Sequence, residues 1–136
     1  MSLSSDRPIV FAHRGASGYE YENSFSAFQY AITLGADGIE TDCWLSKDRE
    51  VIVHHDLMLR RSPNGEGDPS FNIHNLTLEE IQSKLLPNGE RILSLREFFE
   101  HFGSKHFRSN RLNPLKFSID AQDDDVGLEI VKLLEE

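Results

Sequence analysis

Cysteine is nearly missing from this chain. Cys43 stands alone among 136 residues, so an internal disulfide framework is excluded. Positive charge is also scarce. Lys and Arg number 14 against 23 Asp and Glu, a formal net charge of -9. An acidic surface argues against nucleic acid and anionic membrane as bulk partners, because counterion release needs clustered cations. A phosphate ligand stays open, since one arginine or a bound cation reverses the field inside a site. No apolar run is long enough to span a bilayer. Met1-Ser2-Leu3-Ser4-Ser5 has neither the charged start nor the apolar stretch of a signal peptide, so the expected compartment is cytoplasmic. The glycine fingerprint for dinucleotides and the Walker-type loop are both absent, and no internal repeat stands out.

What remains is an ordinary globular mixture, 38% hydrophobic and 27% charged, with length for one domain spanning residues 1–136 rather than two. Strand and helix patterns alternate. Ile9 to His13 reads as a buried strand, followed by a turn at Gly15-Ala16-Ser17-Gly18. Asn23 or Ser24 caps a helix to about Leu34, with Phe25, Phe28 and Ile32 at helical spacing. Gly38 to Leu45 is a second strand, with Glu40, Asp42 and Trp44 on one face and Ile39, Thr41 and Cys43 on the other. Ser46-Lys47-Asp48-Arg49 is a polar turn into a third strand, Glu50 to His55. Leu57 to Pro69 is loop by composition. Thr77 and Glu80 have capping-box spacing, and Ser94 opens a helix through Phe102. Gly103 to Pro114 reads as a linker, Leu115 to Ala121 as a fourth strand, and Val126 to Leu134 as a helix whose apolar face is Leu128, Val131 and Leu134. The expected class is α/β with a mainly parallel sheet, its parts in barrel order.

Chemistry collects at the strand ends, where a parallel barrel gathers its active site. Glu40 and Asp42 lie two residues apart on one strand face, so their oxygens can converge on a hard cation. Asp120 ends the fourth strand and is a third carboxylate candidate. The run Asp123-Asp124-Asp125 reads instead as acidic residues at a helix N-terminus. His13-Arg14 and His55-Asp56 end the first and third strands. Arginine grips phosphate with two prongs, and two histidines could serve as acid and base across a phosphorus centre. His54 points to the other face and is expected to pack or hydrogen-bond. His74, His101 and His106 are expected on the surface.

The ordered motifs resemble the glycerophosphodiester phosphodiesterases. The matching segments are His13-Arg14-Gly15-Ala16-Ser17-Gly18, Glu22-Asn23-Ser24, Gly35-Ala36-Asp37-Gly38-Ile39-Glu40-Thr41-Asp42, Ser46-Lys47-Asp48 and Val51-Ile52-Val53-His54-His55-Asp56. Leu59-Arg60-Arg61, Asn64-Gly65 and Leu95-Arg96-Glu97-Phe98 follow later family segments.

The resemblance implies a metal-dependent hydrolase that cleaves a glycerophosphodiester to glycerol 3-phosphate and an alcohol. By position, His13 and His55 match the acid–base pair, and Arg14 the phosphate-binding arginine. Glu40, Asp42 and Asp120 match the carboxylates for a divalent cation, Ca2+ or Mg2+. Glu22 matches a glutamate that organises Arg14. The implied fold is a parallel (β/α) TIM-type barrel. Such barrels take about 250 residues, so this chain holds about four strands, the first half. A second copy or a C-terminal half would then complete the barrel.

Two local departures stand out: Tyr21 replaces the proline usual before Glu-Asn, and Asp120-Ala121-Gln122 replaces Glu-x-Lys. Two other functions fit the same residues, a non-catalytic half barrel that binds phosphate and metal, and a phospholipase D-like phosphodiester transferase.

Overall fold

Each helix begins where a small polar side chain can take up a free backbone N–H. The computed structural model describes residues 8–60, 68–103 and 114–136. In it the Ser24 hydroxyl accepts from Ala27 N and starts α1, Phe25–Thr33. Thr77 and Glu80 form the reciprocal capping box of the short α2, Leu78–Gln82. Ser94 accepts from Glu97 N at the head of α3, Leu95–Phe102. Asp123 caps α4, Asp124–Leu134, with Asp124 and Asp125 in its first turn, so the acidic run serves the helix end as expected. His106 and the motif residues Arg61, Asn64 and Gly65 lie outside the described residues, as does most of the expected linker.

The strands are β1 (Phe11–His13), β2 (Gly38–Leu45), β3 (Val51–Val53) and β4 (Lys116–Ala121). β2 is the central one. It pairs in parallel with β1 through Phe11↔Gly38 to His13↔Glu40, and in parallel with β4 through Gly38↔Lys116 to Cys43↔Ala121. β3 departs from expectation: it runs antiparallel to β2, with Cys43↔Val53 and Leu45↔Val51. The cause is the short connection. A parallel return needs a crossover of about a dozen residues or more, whereas residues 46–50 turn straight back, with Ser46 N bonded to Glu50 O and Arg49 at φ 63. Three described strands therefore run in parallel barrel fashion, and the third predicted strand is a hairpin laid along β2.

The main core lies between the sheet and α1, α3 and α4. Phe28, Phe98 and Phe102 are fully buried beside Ile39, Cys43, Val53 and Leu95, and the Phe28 and Phe98 rings meet edge to face at 4.8 Å. Ile52 points the other way, into a second cluster with Ile73, Leu76, Ile81 and Ile92. β3 is thus covered on both faces, which explains its unbroken apolar sequence.

Two further expectations are corrected. The β1 segment is not buried: Ile9, Val10 and Phe11 are exposed, because among the described residues β1 is an edge strand paired only with β2. On α4 the buried residues are Val126 and Ile130, while Leu128, Val131 and Leu134 face solvent.

Candidate active site

β2 carries the centre of the site. Its parallel register sets Asp42 level with Asp120 on β4, and directly paired residues project to the same side of a sheet. Glu40, two residues before Asp42, shares that face. Ligand oxygens of Glu40, Asp42 and Asp120 all lie within 4.8 Å of one another. Asp42 is buried, Glu40 half-buried and Asp120 exposed. Burial, and then the adjacent Asp42 carboxylate, raise the Glu40 carboxyl above its ordinary range, while the Arg14 backbone N–H, His13 and the Arg14 charge pull it down. Three converging hard oxygens, one with its charge opposed by its surroundings, are a donor set suited to a divalent cation.

The opposite edge of β2 receives the other groups from two directions. β1 ends at His13, level with Glu40. β3 runs the opposite way, and His54 N donates to Asp42 O at 3.0 Å. The hairpin therefore delivers His54 and His55 to the stretch of β2 where β1 delivers His13 and Arg14. The direction of β3 was unexpected, yet it is what brings the two strand ends together.

Arg14 is the most constrained of these residues. Its backbone sits at φ 58, and its N–H donates to both the Glu40 carbonyl at 2.8 Å and the Glu40 carboxylate at 3.2 Å. Nη1 donates to Glu22 Oε2 at 2.9 Å. Nε lies 3.2 Å from Asp42 Oδ2, within ion-pair reach but out of line for a hydrogen bond. Gly15 makes this turn possible: at φ +79, a Cβ would come within 2.7 Å of the Ala27 backbone. His13 is exposed, with Nε2 3.8 Å from Glu40 Oε2. His55 Nδ1 is 3.0 Å from Asp56 Oδ1, and Trp44 Nε1 donates to the His55 carbonyl at 2.9 Å. His54 is held as expected, its Nδ1–H donating to Asp56 O at 2.7 Å. Burial lowers its imidazole below the usual value, although the Asp56 carbonyl and carboxylate pull upward.

One residue escaped the sequence reading. Asn23, named there as a cap and within the Glu22-Asn23-Ser24 segment but given no role in the site, is buried in the left-handed region at φ 55. Its Nδ2 donates to Asp42 Oδ2 at 3.2 Å, and its Oδ1 accepts from Thr41 Oγ1 at 2.7 Å. Asn23 N also donates to Arg14 O at 2.9 Å. It joins the arginine turn to the carboxylate strand. The available signal was its type: asparagine is among the few residues that enter αL readily. His74 also does more than sit on the surface. Its Nδ1 lies 2.8 Å from the Leu45 carbonyl, and its ring meets Trp44 edge on at 5.8 Å.

A profile of the glycerophosphoryl diester phosphodiesterase family matches residues 13–136. The chain belongs to that family. A glycerophosphodiester phosphodiesterase from Caldanaerobacter subterraneus subsp. tengcongensis is 44% identical over 112 residues, covering 76% of this chain and 44% of that protein. The glycerophosphodiester phosphodiesterase structure from Thermotoga maritima superposes with a TM-score of 0.74 at 30% identity, covering 96% of this chain and 50% of that one. An Oleispira antarctica phosphodiesterase, solved with the product sn-glycerol-3-phosphate, superposes with a TM-score of 0.69 at 26% identity, covering 95% of this chain and 52% of that one. The chain thus spans about half the length of these relatives. Its parallel strands β1, β2 and β4, with their helices, form part of a family (β/α) barrel. Among the described residues, no helix is long and apolar enough to cross a membrane.

Proposed function

We propose that this chain carries the catalytic face of a phosphodiesterase that hydrolyses glycerophosphodiesters to glycerol 3-phosphate and an alcohol. The observation that carries the proposal is the convergence of Glu40, Asp42 and Asp120 within 4.8 Å beside Arg14. The three carboxylates would hold a divalent cation, Ca2+ or Mg2+, since oxygen-only ligands suit either. When bound, it supplies charge stabilisation at the phosphoryl oxygens. Arg14 binds the same phosphate, held in place by Glu22. One of His13 and His55 takes the proton from the attacking oxygen, and the other protonates the leaving alcohol oxygen. The family names and the product bound in the Oleispira relative support this assignment.

The test is release of glycerol 3-phosphate from glycerophosphocholine with added calcium or magnesium. Chelation abolishes it, and His13→Ala or His55→Ala lowers kcat by about 10²–10⁴-fold. Turnover unaffected by either chelation or His55→Ala would falsify the assignment.

A second function is favoured by the exposure of Asp120 and by Gln122 in place of the usual lysine: binding of cation and phosphate without turnover. Calorimetric binding of glycerol 3-phosphate with no product formed from the diester selects it. We also propose that a second copy of this chain, or a C-terminal half of the barrel, covers the apolar faces beyond β1 and α4.

A further inference from the structure

His55 stands two residues beyond the end of β3 at Val53. It is half-exposed, and its imidazole pairs with Asp56 Oδ1 at 3.0 Å. Asp56 is the next residue along, so that contact travels with the segment and does not anchor it. Two hydrogen bonds to the backbone do. The His55 carbonyl accepts from Trp44 Nε1 at 2.9 Å, and the Asp56 carbonyl accepts from the His54 Nδ1–H at 2.7 Å. We propose that Trp44 is a positioning residue: its indole N–H sets where the His55 imidazole stands relative to the carboxylates of β2. The inference rests on the proton-transfer role given to His55 above.

The indole is itself held by its neighbours. Trp44 lies on β2, paired with Ile52 of β3, and packs against the smaller core that contains Ile52, Ile73 and Ile81. His74 meets its ring edge on at 5.8 Å. The His74 ring is tied down in turn. Its Nδ1–H donates to the Leu45 carbonyl at 2.8 Å, and its Nε2 lies 3.6 Å from Oδ2 of Asp123, the residue that caps α4. An indole N–H only donates, so this ring selects a carbonyl. A phenylalanine would fill much of the same space and hold nothing. Trp44 also follows Glu40 and Asp42 on one face of β2, because side chains alternate along a strand. One strand therefore orders two candidate cation ligands and the group that holds the histidine. Catalytic groups need their geometry kept to about 0.5 Å, and a misplacement of about 1 Å costs on the order of a hundredfold in rate.

Trp44 is the one tryptophan of the chain, so replacing tryptophan during expression alters a single ring. Three forms of the whole chain are compared with wild type. Trp44→Phe and a form carrying 3-benzothienylalanine, which keeps the indole outline with sulfur in place of N–H, both lose the donor. A form carrying 5-fluorotryptophan keeps it. Turnover of glycerophosphocholine is followed with calcium present, and calcium affinity is read by calorimetry. Both forms without the donor should lose about ten- to hundredfold in kcat, with KM and calcium affinity unchanged. The 5-fluorotryptophan form should match wild type. The benzothienyl form decides the matter if Trp44→Phe does not fold. Unchanged kcat without the donor overturns the inference and leaves the proposed function standing. So does a change confined to KM or to calcium affinity, which would put Trp44 on the substrate or the cation instead. Absence of turnover in wild type overturns both.

Discussion

At the scale of single residues, Asn23 ties together the groups of the candidate site. It fixes the Asp42 carboxylate, accepts the Thr41 hydroxyl, and hydrogen-bonds to Arg14 through its backbone. Removing the amide leaves buried polar partners unmet, worth about 1–3 kcal/mol. Alanine at φ 55 adds backbone strain of about 1–2 kcal/mol. Asn23→Ala should therefore lower stability in urea by about 2–5 kcal/mol and weaken calcium affinity by calorimetry. Asn23→Gly, free of that strain, should recover part of the stability and none of the affinity. Stability preserved in Asn23→Ala would mean that Asp42 is held by other groups.

His54 gives a second test at this scale. Burial lowers its folded pKa below the ordinary value near 6.5. Between the two values the unfolded chain holds more protons, so the His54 contribution to stability rises with pH and is lost as pH falls below the unfolded value. Glu40 has the opposite sign: its raised carboxyl contributes stability below the unfolded value that is lost as pH rises through the folded one. The comparison that isolates the histidine is wild type against His54→Gln from about pH 5 to 7. The wild type should gain stability across that interval relative to the variant. Parallel curves would show that the imidazole is not held neutral.

At the scale of elements, β3 joins two cores. Val51 and Val53 pack into the larger core and Ile52 into the smaller, so Ile52→Ala should cost about 2–5 kcal/mol in chemical denaturation. A cost under about 1 kcal/mol would mean that the smaller cluster can collapse around the gap. Elements marked by local chemistry were legible in sequence. β2 has its predicted ends because Gly38 opens it and a polar turn closes it, and α3 follows Ser94 because the cap is written beside it. The carboxylate trio was legible for a related reason: two members share a strand and the third ends another. What failed needed tertiary context. β1 has the composition of a buried strand but occupies an edge. α4 carries apolar residues on two faces, and period alone cannot tell Val126 and Ile130 from Leu128, Val131 and Leu134. The direction of β3 is a different kind of miss, because the brevity of residues 46–50 already excluded a parallel return.

At the scale of the whole molecule, exposed apolar side chains gather at two places among the described residues. Ile9, Val10, Phe11 and Leu34 lie along β1, and Leu128, Val131 and Leu134 along α4. Apolar side chains exposed near one another mark a contact site or an association hazard, and an edge strand adds to it. The net charge of -9 opposes contact between copies at low salt. Salt screens that repulsion within about 10 Å at 0.1 M and leaves apolar burial intact. Self-association should therefore increase with both protein concentration and salt, the reverse of a contact held by ion pairs. Sedimentation velocity across a salt series reads this directly. Burying a leucine is worth about 1.5–3 kcal/mol, so Leu128→Lys and Leu134→Lys should each weaken association by at least about tenfold. Both positions are exposed, so the folded monomer should tolerate lysine there. A sedimentation coefficient independent of concentration and salt, in wild type and variants alike, would mean that these faces do not pair copies of the chain.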